Sequence, residues 1–135
     1  MNVDGKAYRT VWTDNEISSF SIKIIDQKKL PFFFEIKELL SVADVIRAIS
    51  DMHVRGAGCI GVTAAYGMWL AAKESRGDSI QLQAFADALM GSRPTATNLA
   101  WAVERQLSVL INADPADWTE IALKEAELIA DEDAN

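Results

Sequence analysis

The sequence predicts an α+β fold, in which a small antiparallel three-stranded sheet is followed by a bundle of about five helices. Residues 1–40 contain three short segments rich in β-forming residues, separated by turn-like segments. From residue 41 onward, apolar residues recur at helical spacing. The chain has 135 residues and is 50% hydrophobic, which suits one domain with a buried core.

The three β-forming segments are short and lie close together in the sequence. They are expected at residues 8–13, 17–25 and 32–37. A meander of three short strands exposes an apolar face and is not stable alone. We therefore expect the helical bundle of residues 41–135 to cover the meander of residues 1–40, so that the two parts form one domain.

Capping residues and glycines divide the rest of the chain into helices. Ser41 is the expected N-cap of the first helix, Asp78 or Ser79 opens the third, and Asp114 precedes Pro115 at the start of the fifth. Gly77 is the expected stop of the second helix. Helices are predicted over residues 41–53, 60–75, 80–90, 96–112 and 116–134.

The net charge of −7 is concentrated at the C-terminal end of the chain. The segment from Asp114 onward contains eight acids and one base, whereas acids and bases balance in the rest. This pattern is typical of a solvated helix face, and it disfavours a broad basic surface for nucleic acid. No signal peptide or membrane-spanning run is present, so no membrane partner is expected. A single cysteine leaves no internal disulfide to form, which favours a cytoplasmic setting.

The stretch "VRGAGCIG" at residues 54–61 places a charge and three glycines before the most apolar predicted helix. Gly56, Gly58 and Gly61 match the G-x-G-x-x-G pattern of dinucleotide-binding folds. That pattern requires a preceding buried strand, and here the preceding segment has helical periodicity. Two interpretations remain open: an anion-binding loop at a helix N-terminus, or a tight turn that carries Arg55 on the surface.

A second arginine stands in a similar place, in the "SRPT" loop before the fourth helix. A helix N-terminus offers unpaired N–H groups, and a guanidinium offers a charged fork suited to phosphate. Arg55 and Arg93 could therefore converge on one anion. The alternative is that each is an ordinary surface residue of a turn.

Other reactive or bulky side chains have simpler interpretations. Cys59 is either a nucleophile with a lowered pKa or a small packing residue, and packing is favoured because the only histidine is His53. One cysteine and one histidine do not make a metal site, so no metal is expected. Tryptophans predicted to lie in the core or at an interface are Trp69, Trp101 and Trp118.

Three separated segments together resemble one family. They are "YRTVWT" with "IDQKKLP", "VRGAGCIGVTAAYG", and "SRPTATNLAWAVERQL". In this order they are similar to the N-terminal domain of the 5-methylthioribose-1-phosphate isomerases. The same superfamily includes ribose-1,5-bisphosphate isomerases and the regulatory subunits of the translation initiation exchange factor. The segments "DQKKLP" and "RPTA" favour the isomerase branch.

The resemblance implies an aldose–ketose isomerase of methionine salvage that uses no cofactor and forms a homodimer. It also implies that Arg55, Gly56, Ala57 and Arg93 contact the phosphate of the sugar. The chain departs from the family where Gly58 and Cys59 replace a Pro-Ala pair, which loosens the loop.

The family's catalytic cysteine and aspartate belong to a C-terminal Rossmann-like domain, so no catalytic residue is assigned in this chain. The last predicted helix reaches the end of the sequence without a glycine or proline stop. We therefore expect the chain to be the N-terminal part of a longer protein, inactive alone. The alternative is a non-catalytic module that senses a sugar phosphate or nucleotide, or that serves in assembly.

Overall fold

A computed structural model describes residues 2–3, 6–7, 11–13, 22–25, 36–51 and 57–134. The strands are β1 Asn2–Val3, β2 Lys6–Ala7, β3 Val11–Thr13, β4 Ile22–Ile25 and β5 Ile36–Leu39. The helices are α1 Val42–Ser50, α2 Ala57–Ser75, α3 Ser79–Gly91, α4 Thr97–Ile111 and α5 Trp118–Ala134. The predicted α+β class, with the helices following the strands, is confirmed.

The described strands form two antiparallel sheets. β1 pairs with β2, a hairpin that the sequence did not predict, and β4 lies between β3 and β5. Ile22 and Leu39 are partners across β4 and β5, and both are buried in the same core as the helices. Glu38, which precedes Leu39 on β5 and pairs with Lys23, is exposed. Buried Leu39 and exposed Glu38 alternate as strand residues do, and β5 extends to Leu39, two residues beyond the predicted end at residue 37.

The predicted caps are confirmed at three helix starts. Ser41 Oγ accepts the Asp44 N–H at 3.2 Å, and an Asp78 carboxylate oxygen accepts the Ile80 N–H at 2.9 Å. Asp114 accepts the Ala116 N–H at 3.0 Å, but it opens a 3₁₀ turn at Pro115–Asp117 before α5 begins. Proline at the first position suits this tighter start.

Helix α1 is shorter than predicted, whereas α2 ends at the predicted residue. α1 ends at Ser50, with Asp51 as its C-cap, rather than at residue 53. α2 ends at Ser75, after which Arg76 and Gly77 both have positive φ angles, of 51° and 83°. The glycine is therefore the stop that the sequence predicted, because its backbone adopts the left-handed conformation without a steric penalty.

Helix α2 is the centre of the bundle. Every residue from 60 to 72 is buried, and α1, α3, α4 and α5 all contact it. Many of these residues are alanine or glycine, which lets four neighbours approach one helix. The prediction that α2 is buried on several sides is confirmed.

Helices α4 and α5 run antiparallel, and the buried side-chain amide of Gln106 joins both of them to α2. Trp118 Nε1 donates to the Leu110 carbonyl at 3.0 Å. Gln106 Nε2 donates to the Ala65 carbonyl of α2 and the Ala122 carbonyl of α5, each at 2.9 Å. Gln106 is fully buried, and its Oε1 has no hydrogen-bond partner among the described residues. This side chain thus connects three helices.

Arg105 clamps the outer face of α4 to α5. Its guanidinium donates to Glu125 at 2.6 Å and to both carboxylate oxygens of Glu132, and it lies 5.3 Å from the centre of the Trp101 ring. The hydrogen bond to Glu132, and next to it the bond to Glu125, raises the pKa of Arg105. The same guanidinium lowers the pKa of Glu132. Trp69 and Trp118 lie in the core. Trp101, which was also predicted for the core or an interface, is 48% exposed, and Arg105 lies over its ring.

Replacing Arg105 with methionine is expected to lower the free energy of unfolding by about 1–2 kcal/mol, because Glu125 then loses its charged partner. The Glu125 side chain is only 16% exposed, whereas that of Glu132 is 57% exposed and contributes little. Urea unfolding followed by tryptophan fluorescence measures the change. The control is Arg47→Met, whose side chain is 70% exposed and should cost less than about 0.5 kcal/mol. Equal losses in the two variants would contradict the clamp.

Candidate anion-binding site

The first turns of α2 and α4 lie against each other. A Cβ atom built on Gly61 would stand 3.3 Å from the Asn98 carbonyl oxygen and 3.5 Å from the Asn98 Cβ. One turn further along α2, Ala65 accepts the hydrogen bond from Gln106 of α4. Both helices therefore run in the same sense from a shared end. The N-termini of α2 and α4 are therefore placed on the same side of the bundle.

The loop before α4 is a tight turn that carries Arg93. The Ala96 N–H donates to the Arg93 carbonyl at 3.0 Å, and Pro94 occupies the second position, where its fixed φ suits a β-turn. Arg93 is half-buried, and it forms no ion pair with the carboxylates of the described stretches. The turn places Arg93 directly before the start of α4.

The N-terminus of α4 differs from those of the capped helices. Its N-cap is Ala96, which forms no side-chain hydrogen bond to the first turn. Neither α2 nor α4 has an acidic residue in its first turn. The exposed N–H groups of a first turn carry the positive end of the helix dipole, which favours a bound anion.

The nearby acids of α5 are partly neutralised. Glu125 and Glu132 are both bound by Arg105, so two carboxylates of this acidic helix have their charge balanced within the protein. Arg93 and the positive ends of the two helix dipoles contribute positive potential at the shared end of α2 and α4. An anion is the ligand that this arrangement favours.

Half of the predicted site lies in the described residues. Ala57 is the first residue of α2, and Arg93 lies in the turn before α4. The structure places these two helix starts on the same side of the bundle, and the convergence of Arg55 and Arg93 on one anion stays a prediction. Arg55 and Gly56 lie outside the described residues, as does His53.

Cys59 lies in the first turn of α2 and packs against the core. It is half-buried, and its carbonyl accepts the Thr63 hydroxyl at 2.8 Å. Its surroundings fit the packing interpretation. In the stretches that the structure describes, no group of three histidine, cysteine or acidic residues could hold a metal ion. The described helices include none that is both long and apolar enough to cross a membrane.

The sequence analysis missed the contact between Gly61 and Asn98. The third glycine of the G-x-G-x-x-G pattern was a usable signal, because a glycine inside an apolar helix often marks a close approach of another backbone. What the pattern did not reveal is which backbone approaches. Asn98, in the second position of α4, is identified only by the tertiary structure.

Residues 53–135 match the model of the Initiation factor 2 subunit family. The chain is 44% identical to a methylthioribose-1-phosphate isomerase of Methylorubrum populi and 46% identical to one of Rhodospirillum centenum, each over 133 residues. Each alignment covers 98% of this chain but only 36% and 35% of the relative. The chain thus spans about a third of the length of these relatives.

Two solved structures share the fold. The 5-methylthioribose 1-phosphate isomerase from Pyrococcus horikoshii has a TM-score of 0.83 and 32% identity, over 94% of this chain and 37% of its own. The delta subunit of translation initiation factor eIF-2B from A. fulgidus has a TM-score of 0.84 and 36% identity, over 95% of this chain and 38% of its own. The resemblance inferred from the three sequence segments is confirmed.

Proposed function

Because the chain belongs to the Initiation factor 2 subunit family, we propose that it is the substrate-phosphate-binding, N-terminal domain of an isomerase that acts on 5-methylthioribose 1-phosphate. The isomerases of Methylorubrum populi and Rhodospirillum centenum align with 98% of its length. In this role the chain supplies the grip on the phosphate and one wall of the substrate pocket. The complete enzyme works in the cytoplasm as a homodimer and belongs to methionine salvage.

One structural observation carries the proposal: the N-termini of α2 and α4 share one end of the bundle, next to Arg93. The guanidinium of Arg93 neutralises the phosphate charge, and the Ala57 N–H orients its oxygens. Arg55 and Gly56 directly precede Ala57 and complete the cradle. A glycine at this point lets an anion approach the backbone.

Phosphate binding is separate from the chemistry of the reaction. The phosphate of an aldose 1-phosphate blocks ordinary ring opening at the anomeric carbon. Isomerisation therefore requires acid–base groups that open the ring and move hydrogen between neighbouring carbons. We assign these groups to a C-terminal, Rossmann-like part of the protein beyond the residues of this chain. Binding energy from the phosphate then holds the sugar in position for those groups.

Gly58 and Cys59 tune the cradle. Gly58 is the second residue of α2, and a glycine there has more conformational freedom than the proline of the resembled isomerases, so ordering this first helical turn around a phosphate costs more entropy. We therefore propose a weaker grip on phosphate than a Pro-Ala pair at these positions would provide. The phosphate affinity of a Gly58→Pro variant reports this difference directly.

The structural similarity to the eIF-2B delta subunit favours a second candidate function. In this alternative the chain is a non-catalytic module that binds a sugar phosphate or nucleotide and acts in sensing or assembly. The same anion site would serve both functions. The discriminating property is ligand preference, because a sensor of nucleotides binds a nucleoside monophosphate more tightly than a pentose phosphate.

The 135-residue chain is expected to bind 5-methylthioribose 1-phosphate but not to convert it into the ketose. The described residues of the site supply one guanidinium and helix N–H groups, none of which is an acid–base pair suited to proton transfer at neutral pH. Calorimetric titration measures binding, and proton NMR of the sugar measures turnover. Turnover by the chain would contradict the assignment of the acid–base groups to another part of the protein. Tighter binding of AMP than of 5-methylthioribose 1-phosphate would favour the second candidate function.

A further inference from the structure

Two exposed apolar side chains belong to one outer face of α4 and α5. Trp101 of α4 is 48% exposed, and Leu128 of α5 is 44% exposed. The guanidinium of Arg105 lies 5.3 Å from the centre of the Trp101 ring, and it also binds Glu125 and Glu132. These glutamates lie three positions before and four positions after Leu128, and so on the same side of α5. We call these five residues the clamp face.

The chemistry of the clamp face suits an interface. Tryptophan and arginine are enriched at the centres of protein–protein interfaces, where they fill pockets on the partner. The guanidinium of Arg105 is already paired with two carboxylates, so a partner that covers it supplies no counter-charge. The face therefore offers two apolar side chains around a charge that is satisfied within the domain.

The clamp face lies where α4 begins and α5 ends. Trp101 is the fifth residue of α4, and Glu132 lies two residues before the end of α5 at Ala134. Arg105, one turn beyond Trp101, binds Glu132, so the C-terminal end of α5 lies beside the first turns of α4. A polypeptide that continues beyond α5 therefore starts next to Trp101.

The relatives of this chain contain such additional polypeptide. The match covers only 36% and 35% of the two isomerases, so most of each relative lies outside it. The proposed function assigns the acid–base groups to a C-terminal part of the protein. That part must reach a ligand at the end of the bundle where α4 begins, and its connection to this domain runs through the end of α5. Both requirements place it against the clamp face.

We propose that the clamp face is the surface on which the C-terminal, Rossmann-like part of the longer protein docks against this domain. The inference rests on the proposed function, which assigns that part. Trp101 and Leu128 supply the apolar contacts of the interface. From Glu125 onward α5 contains five acids and no base, so the docking part carries basic residues around an apolar centre.

Two exposed isoleucines are internal controls. Ile80 is 82% exposed in the first turn of α3, and Ile111 is 69% exposed at the end of α4. The short turn of residues 92–96 joins α3 to α4, so both isoleucines lie at the end of this helix pair that is opposite Trp101. The proposed docking leaves them uncovered, although each is more exposed than Trp101.

The test compares the 135-residue chain with a fusion protein in which it is followed by the part of the Rhodospirillum centenum isomerase that lies beyond the match. Both are treated with hydroxyl radicals, and the oxidation of single side chains is measured by mass spectrometry. Trp101 and Leu128 are expected to be oxidised at least about fivefold more slowly in the fusion protein, because a packed interface excludes water. Ile80 and Ile111 should change by less than about twofold.

Three results would overturn the docking proposal. The first is equal oxidation of Trp101 and Leu128 in the two proteins, and the second is protection of Ile80 and Ile111 instead. The third is protection of Trp101 in the 135-residue chain that grows with its concentration, which would identify a second copy of the chain as the occupant. If the chain binds phosphate but the oxidation rates are equal, the docking proposal fails and the proposed function stands. Absence of phosphate binding by the chain overturns the proposed function.

A second measurement covers the case in which the fusion protein does not fold. In the complete isomerase of Rhodospirillum centenum, the residue aligned with Trp101 and, in a separate variant, the residue aligned with Ile80 are replaced with cysteine. After correction for the unaltered enzyme, a maleimide is expected to react at least about tenfold more slowly at the first position than at the second. Equal reaction rates at the two positions would overturn the docking proposal.

Discussion

The Arg93→Ala variant is expected to bind inorganic phosphate and 5-methylthioribose 1-phosphate about tenfold to a hundredfold more weakly than the unaltered chain. This is the loss expected when one charge-assisted hydrogen bond is removed. Arg93 is half-buried in the turn before the uncapped start of α4, and it forms no ion pair with another described residue. Calorimetric titration at low ionic strength measures the effect.

The matched control for this prediction is Arg76→Ala. Arg76 is an exposed loop arginine at the opposite, C-terminal end of α2, so its removal changes the net charge equally. We expect it to alter phosphate affinity by less than about twofold. Equal weakening in the two variants would show that net charge, rather than the position of Arg93, determines binding. Unchanged folding of both variants is verified by their melting temperatures.

The Gln106→Glu variant is expected to lose about 3–5 kcal/mol of stability at pH 7, the range for a buried charge without a partner. The amide donates to two carbonyl oxygens from a fully buried position. A carboxylate there would face the same two oxygens without a donor. Urea unfolding measured across pH is the appropriate experiment.

The sign of the pH dependence follows from the same geometry. Burial and two facing carbonyls raise the pKa of the introduced carboxyl, so its protonated form, which can donate, is favoured in the folded state. Relative to the unaltered chain, the loss in free energy of unfolding is small below about pH 4. It grows as the pH rises above the pKa that the introduced carboxyl has in the unfolded chain. A deficit that does not change with pH would contradict this explanation.

Gln106→Met is the control for the shape of the residue. Methionine fills a similar volume, removes both donors and also removes the Oε1 that lacks a partner among the described residues. We expect a change within about 1 kcal/mol, because the two carbonyls belong to helices and keep their helical hydrogen bonds. A loss as large as that of the glutamate variant would show that the donors, not the buried charge, dominate.

Local chemistry made much of the fold predictable. Ser41, Asp78 and Asp114 begin helical segments because their side chains accept first-turn N–H groups, a property that depends on neighbouring residues alone. Gly77 ends α2 for an equally local reason, its positive φ. The apolar character of α2 on all sides predicted its central position, since only a helix with neighbours on every side can bury such a surface.

Features of the fold that depend on contacts between distant parts of the chain were less predictable from the sequence. The sequence left open whether Trp101 lies in the core or at an interface, and it did not reveal that Arg105, which binds two glutamates of α5, lies over the Trp101 ring. The 3₁₀ turn after Asp114 and the two extra residues of β5 were also missed. In each case the outcome depends on which surface a neighbouring element presents.

The candidate site shows the same division. The sequence by itself determined its ingredients: an arginine in a proline turn before α4, a glycine-rich stretch before α2, and motifs that identify the family. Only the tertiary structure decided that α2 and α4 run in the same sense and meet at Gly61 and Asn98. The physical reason is that residue type sets what a helix start can bind, whereas the packing of the whole bundle sets which two helix starts are neighbours.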